Sequence, residues 1–124
     1  MIQIKRAYEA PSRKDDARFL VDRLWPRGVT REALQIEAWL KDASPGNELR
    51  KRFHGHPEEW QEFCRLYFAE LNKVPGAWAP ILAAAQKGTV TLIYGARDTE
   101  HNNAVALREF LLHHQHESKQ KQPN

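Results

Sequence analysis

The chain has 124 residues, 41% hydrophobic and 28% charged, with a net charge of +3 at pH 7. That length suits a single domain able to bury a core without staples, and the balance is that of a globular chain, not a disordered one. Cys64 is the only cysteine, which excludes an intrachain disulfide, and no apolar run approaches the roughly 20 residues a membrane span needs. The opening MIQIKRAYEA lacks the apolar stretch of a secretory signal, so a cytoplasmic location is expected.

Ile2 to Tyr8 alternates as a first strand, with Ile2, Ile4 and Ala7 turned inward. The polar run from Pro11 to Asp16 reads as a surface connection. Ala17 to Trp25 is the second strand, centred on Phe19-Leu20-Val21 and stopped by the tight turn Pro26-Arg27-Gly28. A helix is expected over Arg31 to Lys41, with Thr30 as its N-cap. Ser44-Pro45 signals the next helix, an N-cap followed by proline at the first helical position. It carries Leu49 and Phe53 on one face and breaks at His54-Gly55-His56-Pro57.

From Pro57 the pattern is that of an amphipathic surface helix. Trp60, Phe63, Cys64, Tyr67, Phe68 and Leu71 share a face, and Glu58, Glu59, Glu62, Arg65 and Glu70 decorate the other. Trp60, Phe63, Tyr67 and Leu71 are expected to turn inward, and Cys64 to act as a packed small hydrophobe. Pro75-Gly76 ends this helix, and a further one near Trp78 to Lys87 closes at Gly88, taken as a C′ residue. Thr89 to Tyr94 is the third strand. Thr99 to His114 is the last helix, its apolar face wide enough to lie on a sheet. Gln115 to Asn124 has little to bury and is expected to form a disordered polar tail.

Strands separated by helices predict an α/β domain over residues 1–114. Its core is a small three-stranded, largely parallel sheet, with a helical insertion between strands two and three and a C-terminal helix on the sheet. The short first connection leaves open whether strands one and two run parallel or form a hairpin.

Four segments carry a family likeness: LVDRLWPRG at 20–28, WLKDASPGNELRKRF at 39–53, the Pro57-Glu58-Glu59-Trp60 helix start, and TLIYGARDTEHNNA at 91–104. Together they resemble the YeaO-like bacterial proteins of domain-of-unknown-function family 488, over roughly residues 2 to 112. The resemblance implies a small cytoplasmic α/β protein and brings no activity to transfer. Where the family often has a serine this chain has Gly46, and where the family often reads His-Asn-His it has His101-Asn102-Asn103. The second departure weakens any mechanism that needs two histidines there.

In open α/β sheets, ligands sit in the crevice beyond the carboxyl ends of the strands. Two strands here end in polar groups: Asp22 and Arg23 before the Pro26-Arg27-Gly28 turn, and Asp98, His101 and Asn102 after Tyr94. Arg23 and Arg27 are candidates for gripping a carboxylate or phosphate through paired N–H donors, with Asp22 orienting an arginine. Trp25 is a candidate stacking surface, and Tyr94 and Asn102 are candidate ligand contacts. His101, with Asp98 beside it, is the candidate for proton transfer near neutral pH. The competing reading makes Asp98 a helix cap, which would leave His101 and Asn102 free for a ligand.

Arg23, Asp98 and His101 are therefore expected to meet at the carboxyl edge, as part of a site for a small anionic or polar ligand, with catalysis left open. The alternative is a non-catalytic protein that binds nucleic acid or a regulatory partner. The run Arg50-Lys51-Arg52 is its main support, although on a helix those positions fan around the circumference. His54 and His56 with His101 have no metal-site spacing, so no metal is assigned, and the residues name no cofactor. Phosphate-loop, dinucleotide and serine-hydrolase signatures are missing from the sequence.

Overall fold

The computed structural model describes residues 1–121, with side chains described through His116. Its centre is a four-stranded, all-parallel sheet in the order β1-β4-β2-β3, formed by β1 (Ile2–Arg6), β2 (Ala17–Leu20), β3 (Ala38–Trp39) and β4 (Val90–Tyr94). Strands one and two are parallel, and β4 lies between them. Every residue of β4 is buried, as a central strand of a parallel sheet requires.

Side chains alternate across the pleat and meet two different layers. Phe19, Val21, Val90, Leu92 and Tyr94 pack with residues of the helices in the main core. These helices are α2 (Asn47–Phe53), α3 (Trp60–Asn72), α4 (Pro75–Lys87) and α5 (Asn103–Lys121). Leu20 and Ile93 point to the other face, where Ala7, Leu34, Trp25 and Trp39 close a smaller cluster beneath loops and the single turn α1 (Arg31–Leu34). The helices α2 to α4 of the insertion thus cover one side of the sheet, as expected, while its first stretch covers the other face and supplies β3. Phe63, Tyr67 and Leu71 are buried on the inner face of α3, and Trp60 is half-buried there.

The sequence reading missed the fourth strand, which lies inside the helix expected over Arg31 to Lys41. Thr30 does cap α1, its Oγ1 accepting Ala33 N–H at 3.1 Å, but Gln35 turns left-handed (φ 52°) and stops the helix after one turn. Glu37 and Leu40 then donate backbone N–H groups to Arg18 and Leu20, docking β3 at the sheet edge. Strand two also ends early. Beyond Val21 the backbone leaves the ladder, and the Asp22 carboxylate takes the Gly95 N–H at 2.8 Å.

Helix ends moved as well. Ser44 closes a 3-10 turn over Lys41–Ala43, and Gly46 is the N-cap of α2. The last helix starts at Asn103, not Thr99, and its backbone runs past His114 to Lys121. Residues 122–124 of the expected tail lie outside the described residues. Gly88 follows α4 in extended backbone (φ 173°), so its need for glycine is spatial: an added Cβ would sit 2.6 Å from Asp16 Oδ2.

A charge cluster sits on the loop-covered face. Asp15 is 3% exposed and accepts from Lys5 Nζ (2.9 Å), Arg18 Nη1 (2.6 Å) and Ser12 N–H (2.9 Å). Burial pushes its carboxyl up, but these donors outweigh burial and hold it below the ordinary value. Its contribution to stability is therefore present at neutral pH and is lost as pH falls through the lowered value. Asp15→Asn should cost about 3–5 kcal/mol at pH 7, because it strands the buried Arg18 guanidinium. Urea unfolding checks this, and a loss below about 1 kcal/mol would mean that Arg18 finds another partner.

Cys64 is half-buried beside Glu109, and burial together with that charge pushes its thiol up to about 11. At pH 8 the thiolate fraction is then on the order of one in a thousand. Native protein should react with a thiol reagent at least tenfold more slowly than protein unfolded in urea. Equal rates would remove the packing role.

Candidate cleft at the carboxyl edge of the sheet

β2 and β4 are hydrogen-bonded neighbours, yet the chain leaves them in opposite directions. From β2 it turns under the loop-covered face toward β3. From β4 it enters α5, which packs back over β1 and β4 on the helical face. Diverging exits from adjacent parallel strands leave a crevice that no crossover fills. A cleft of about 520 Å³ lies there, within the range of small-molecule sites.

Asp22, Arg23, Asp98, His101 and Asn102 all line this cleft, so five of the eight expected site residues come together. Arg23 and His101 share one edge of the sheet, but direct contact does not follow. Arg23 Nε donates to Pro45 O at 3.3 Å, and no ion pair joins it to Asp98 among the described residues.

The segment 98–103 is a chain of local bonds. Asp98 Oδ1 accepts the backbone N–H of Glu100 and of His101, both at 2.9 Å, and these donors hold its carboxyl below the ordinary range. Its other oxygen takes His101 Nδ1 at 3.0 Å. An ionised carboxylate only accepts, so Nδ1 carries the proton of this bond. The imidazole also meets Trp60 edge to face, with ring centroids 5.3 Å apart.

Asn102, and not Asp98, caps α5. Its Oδ1 accepts Val105 N–H at 3.0 Å and its amide donates to Asp98 O at 2.9 Å. The expectation that capping leaves Asn102 free is thereby corrected, while His101 remains available.

Asp22 has another setting. Burial pushes its carboxyl up, opposed by hydrogen bonds from Gly95 N–H and the Asn103 side chain. Two carboxyl groups of one cleft are thus displaced in opposite directions, Asp22 upward and Asp98 downward.

Three expected residues lie elsewhere. Trp25 packs edge to face on Trp39 at 5.3 Å, and its indole N–H donates to Val29 O at 2.6 Å, all on the loop-covered face. Arg27 is exposed in the turn, where its carbonyl accepts the Tyr8 hydroxyl. Tyr94 is buried below the cleft, hydrogen-bonded to Asn102, and burial raises its phenol.

Residues that were not expected take their places. Arg50 lines the cleft from α2, and its Nε is buried with no hydrogen-bond partner among the described residues. Trp60 supplies an aromatic wall, and Asn103 ties the cleft to β2 by donating to Val21 O at 2.6 Å. The available signal for Arg50 was its place three residues before Phe53, at the border of the buried face of α2. His54 and His56 are exposed at the rim. His56, Glu58 and Glu59 bring their ligand atoms within 4.8 Å of one another, the one such group among the described residues, and all three are exposed.

Comparison with known proteins gives a consistent result. A family model described as the inactive DUF488-N3 subclade matches residues 1–124. The uncharacterized protein YeaO of Escherichia coli (strain K12) is 39% identical over 110 residues, covering 89% of this chain and 96% of its own. The uncharacterized protein Rv3073c of Mycobacterium tuberculosis (strain ATCC 25618 / H37Rv) is 32% identical over 110 residues, covering 89% and 92%. No solved structure matches the chain. Among the described residues, no helix is long and apolar enough to cross a membrane.

The raised Asp22 carboxyl gives a test of the cleft's electrostatics. A carboxyl raised in the folded state favours folding when protonated, so its contribution is fully present below the ordinary value of 3.8 and is lost as pH climbs through the raised one. Asp22→Asn should flatten that part of the stability–pH curve and leave the protein at least as stable as wild type at pH 7. Urea midpoints across pH 4–8 check this, and a strongly destabilised variant at pH 7 would make the ionised Asp22 a structural anchor.

Proposed function

Because the chain belongs to the DUF488-N3 family, in the subclade described as inactive, we propose that it binds a small anionic or polar ligand in the cleft beyond β2 and β4. The observation that carries this reading is Arg50: a charged side chain at the cleft wall with a buried Nε that has no acceptor among the described residues. A buried donor left unmade costs about 1–3 kcal/mol, more when charged, and a ligand acceptor would recover part of that. Arg23 adds a second guanidinium in the same cleft. Planar forks of this kind suit carboxylate and phosphate groups, which take two parallel bonds.

His101 is the second contributor. With Nδ1 held by Asp98, its Nε2 is the ring atom left to meet a ligand as acceptor, or as donor once protonated. The same pair supports a second reading, in which His101 is a catalytic residue that moves a proton to or from the ligand and Asp98 positions it. The word inactive in the matched description favours binding over turnover. The nucleic-acid alternative rests on the run Arg50-Lys51-Arg52, of which Arg50 faces the cleft while Lys51 and Arg52 are exposed.

Titration of the full chain with inorganic phosphate and with malonate, read by calorimetry and thermal shift, tests the proposal. Saturable binding is expected, weakened at least tenfold by Arg50→Gln and several-fold by His101→Ala, with little change in the ligand-free melting temperature. The reverse pattern, lower melting temperature with unchanged binding, would assign these side chains to the fold. Oligonucleotide binding that falls steeply with salt, without phosphate or malonate binding, would favour the nucleic-acid alternative.

A further inference from the structure

The cleft is lined by residues of two kinds, and an anion alone would use only one of them. Arg23, Arg50 and Arg97 stand among the polar groups. The same cleft is lined by Phe53, Trp60, Phe63 and Leu24. Trp60 is half-buried, with its ring stacked on Phe63 at 5.5 Å (interplanar angle 21°) and set edge to face with the His101 imidazole. Leu24, next to Arg23 in sequence, is 62% exposed although it borders a cavity. Together these residues place apolar surface and guanidinium groups in one cleft, which suits a ligand that is apolar at one end and negatively charged at the other.

We infer that the ligand of this cleft is a compound with an aromatic ring joined to an anionic head, the ring lying against Trp60 and Leu24 and the head against Arg23 and Arg50. This rests on the anion-binding reading above and specifies its ligand class. Size agrees with it. A volume of about 520 Å³ exceeds what phosphate or a small carboxylate fills, and it accommodates a ring with its head. Aromatic stacking and guanidinium pairing are separable contributions, so neither fragment alone should match the joined molecule. The head is a phosphate or a carboxylate, which share the acceptor geometry that arginine recognises.

The test uses the full chain and three sets of probes in parallel titrations. Adenosine 5′-monophosphate and indole-3-acetate carry both parts, inorganic phosphate and acetate carry the head, and adenosine and indole carry the ring. At least one joined probe should bind tenfold or more tightly than either of its own fragments, and which one does so assigns the head. Leu24→Ser, a change at an exposed position, should weaken that probe at least threefold and leave phosphate binding unchanged. Trp60→Phe should keep most of the affinity, as a ring for a ring, and serves as a folded control for the wall. If phosphate or acetate binds as tightly as the joined probes, the ring is not recognised: this inference fails and the anion reading stands. If adenosine or indole binds as tightly as the joined probes, the head is not recognised and the inference fails as well. If nothing binds, both readings fail together.

Discussion

The parallel pairing of β2 with β4 is the contact on which the rest of the molecule depends. It places two strands far apart in sequence side by side with their carboxyl ends together, and it forces the intervening chain to return across one face. The ladder stops at Val21, where Asp22 gives up strand geometry and its side chain takes the Gly95 N–H instead. A side-chain acceptor in place of a backbone one lets the strands splay while the donor stays satisfied. Asn103 closes the same corner from α5 by donating to Val21 O. The cleft is therefore the consequence of where this pairing ends.

The two faces of the sheet solve the burial problem differently. On the helical face apolar side chains from four helices supply the cover. The loop-covered face has less apolar material and includes the buried polar groups Asp15, Arg18 and Thr91. There the hydroxyl of Thr91 donates to Asp15 O at 2.8 Å, and Arg18 Nε donates to Leu34 O at 3.0 Å, so the polar cluster also fixes the loops that cover it. Mutual bonding offsets most of the cost of burying such groups, and Arg18 Nη2 is the one buried side-chain polar atom of this cluster left without a partner among the described residues. At the sheet edge Arg108 of α5 donates to Ile2 O at 2.7 Å, which occupies an acceptor of β1 that no further strand takes up.

How much of this was legible in the sequence depended on the range of the interactions involved. β4 and α3 could be read because their patterns are local: a run of strand-forming residues bounded by Gly88 and Gly95, and a face repeating from Trp60 to Leu71. β3 could not, because two residues show no periodicity and the helix before it ends at Gln35 through backbone conformation rather than at a proline or glycine. Ser44-Pro45 misled for a related reason: the local signal for a helix start is real, but the tertiary contact of Gly46 N–H with the Glu70 carboxylate at 2.9 Å sets the start of α2 later. Within the cleft, the residues at the two strand ends were found, since the topological rule names strand ends. Arg50 and Trp60 come from the crossover, and their arrival at the same edge follows from how α2 and α3 pack, which no short motif records. Trp25 was misplaced because the turn after β2 carries it to the opposite face.

The segment from Asp98 to Asn103 divides its labour in a way that bears on function. Asp98 binds two backbone donors ahead of the helix, Asn102 caps α5, and Asn103 fastens the helix start to β2. Each of these side chains is committed to backbone, and each would be kept by selection for the fold alone. His101 differs. Its Nδ1 is held by Asp98 and its ring rests against Trp60, but neither contact satisfies a backbone group, and its Nε2 has no hydrogen-bond partner among the described residues. Removing the imidazole would leave the cap, the turn and the β2 tether intact. A side chain that is oriented by its neighbours, yet supports none of the backbone bonds around it, fits the proposed role of His101 as a ligand contact in the cleft it borders.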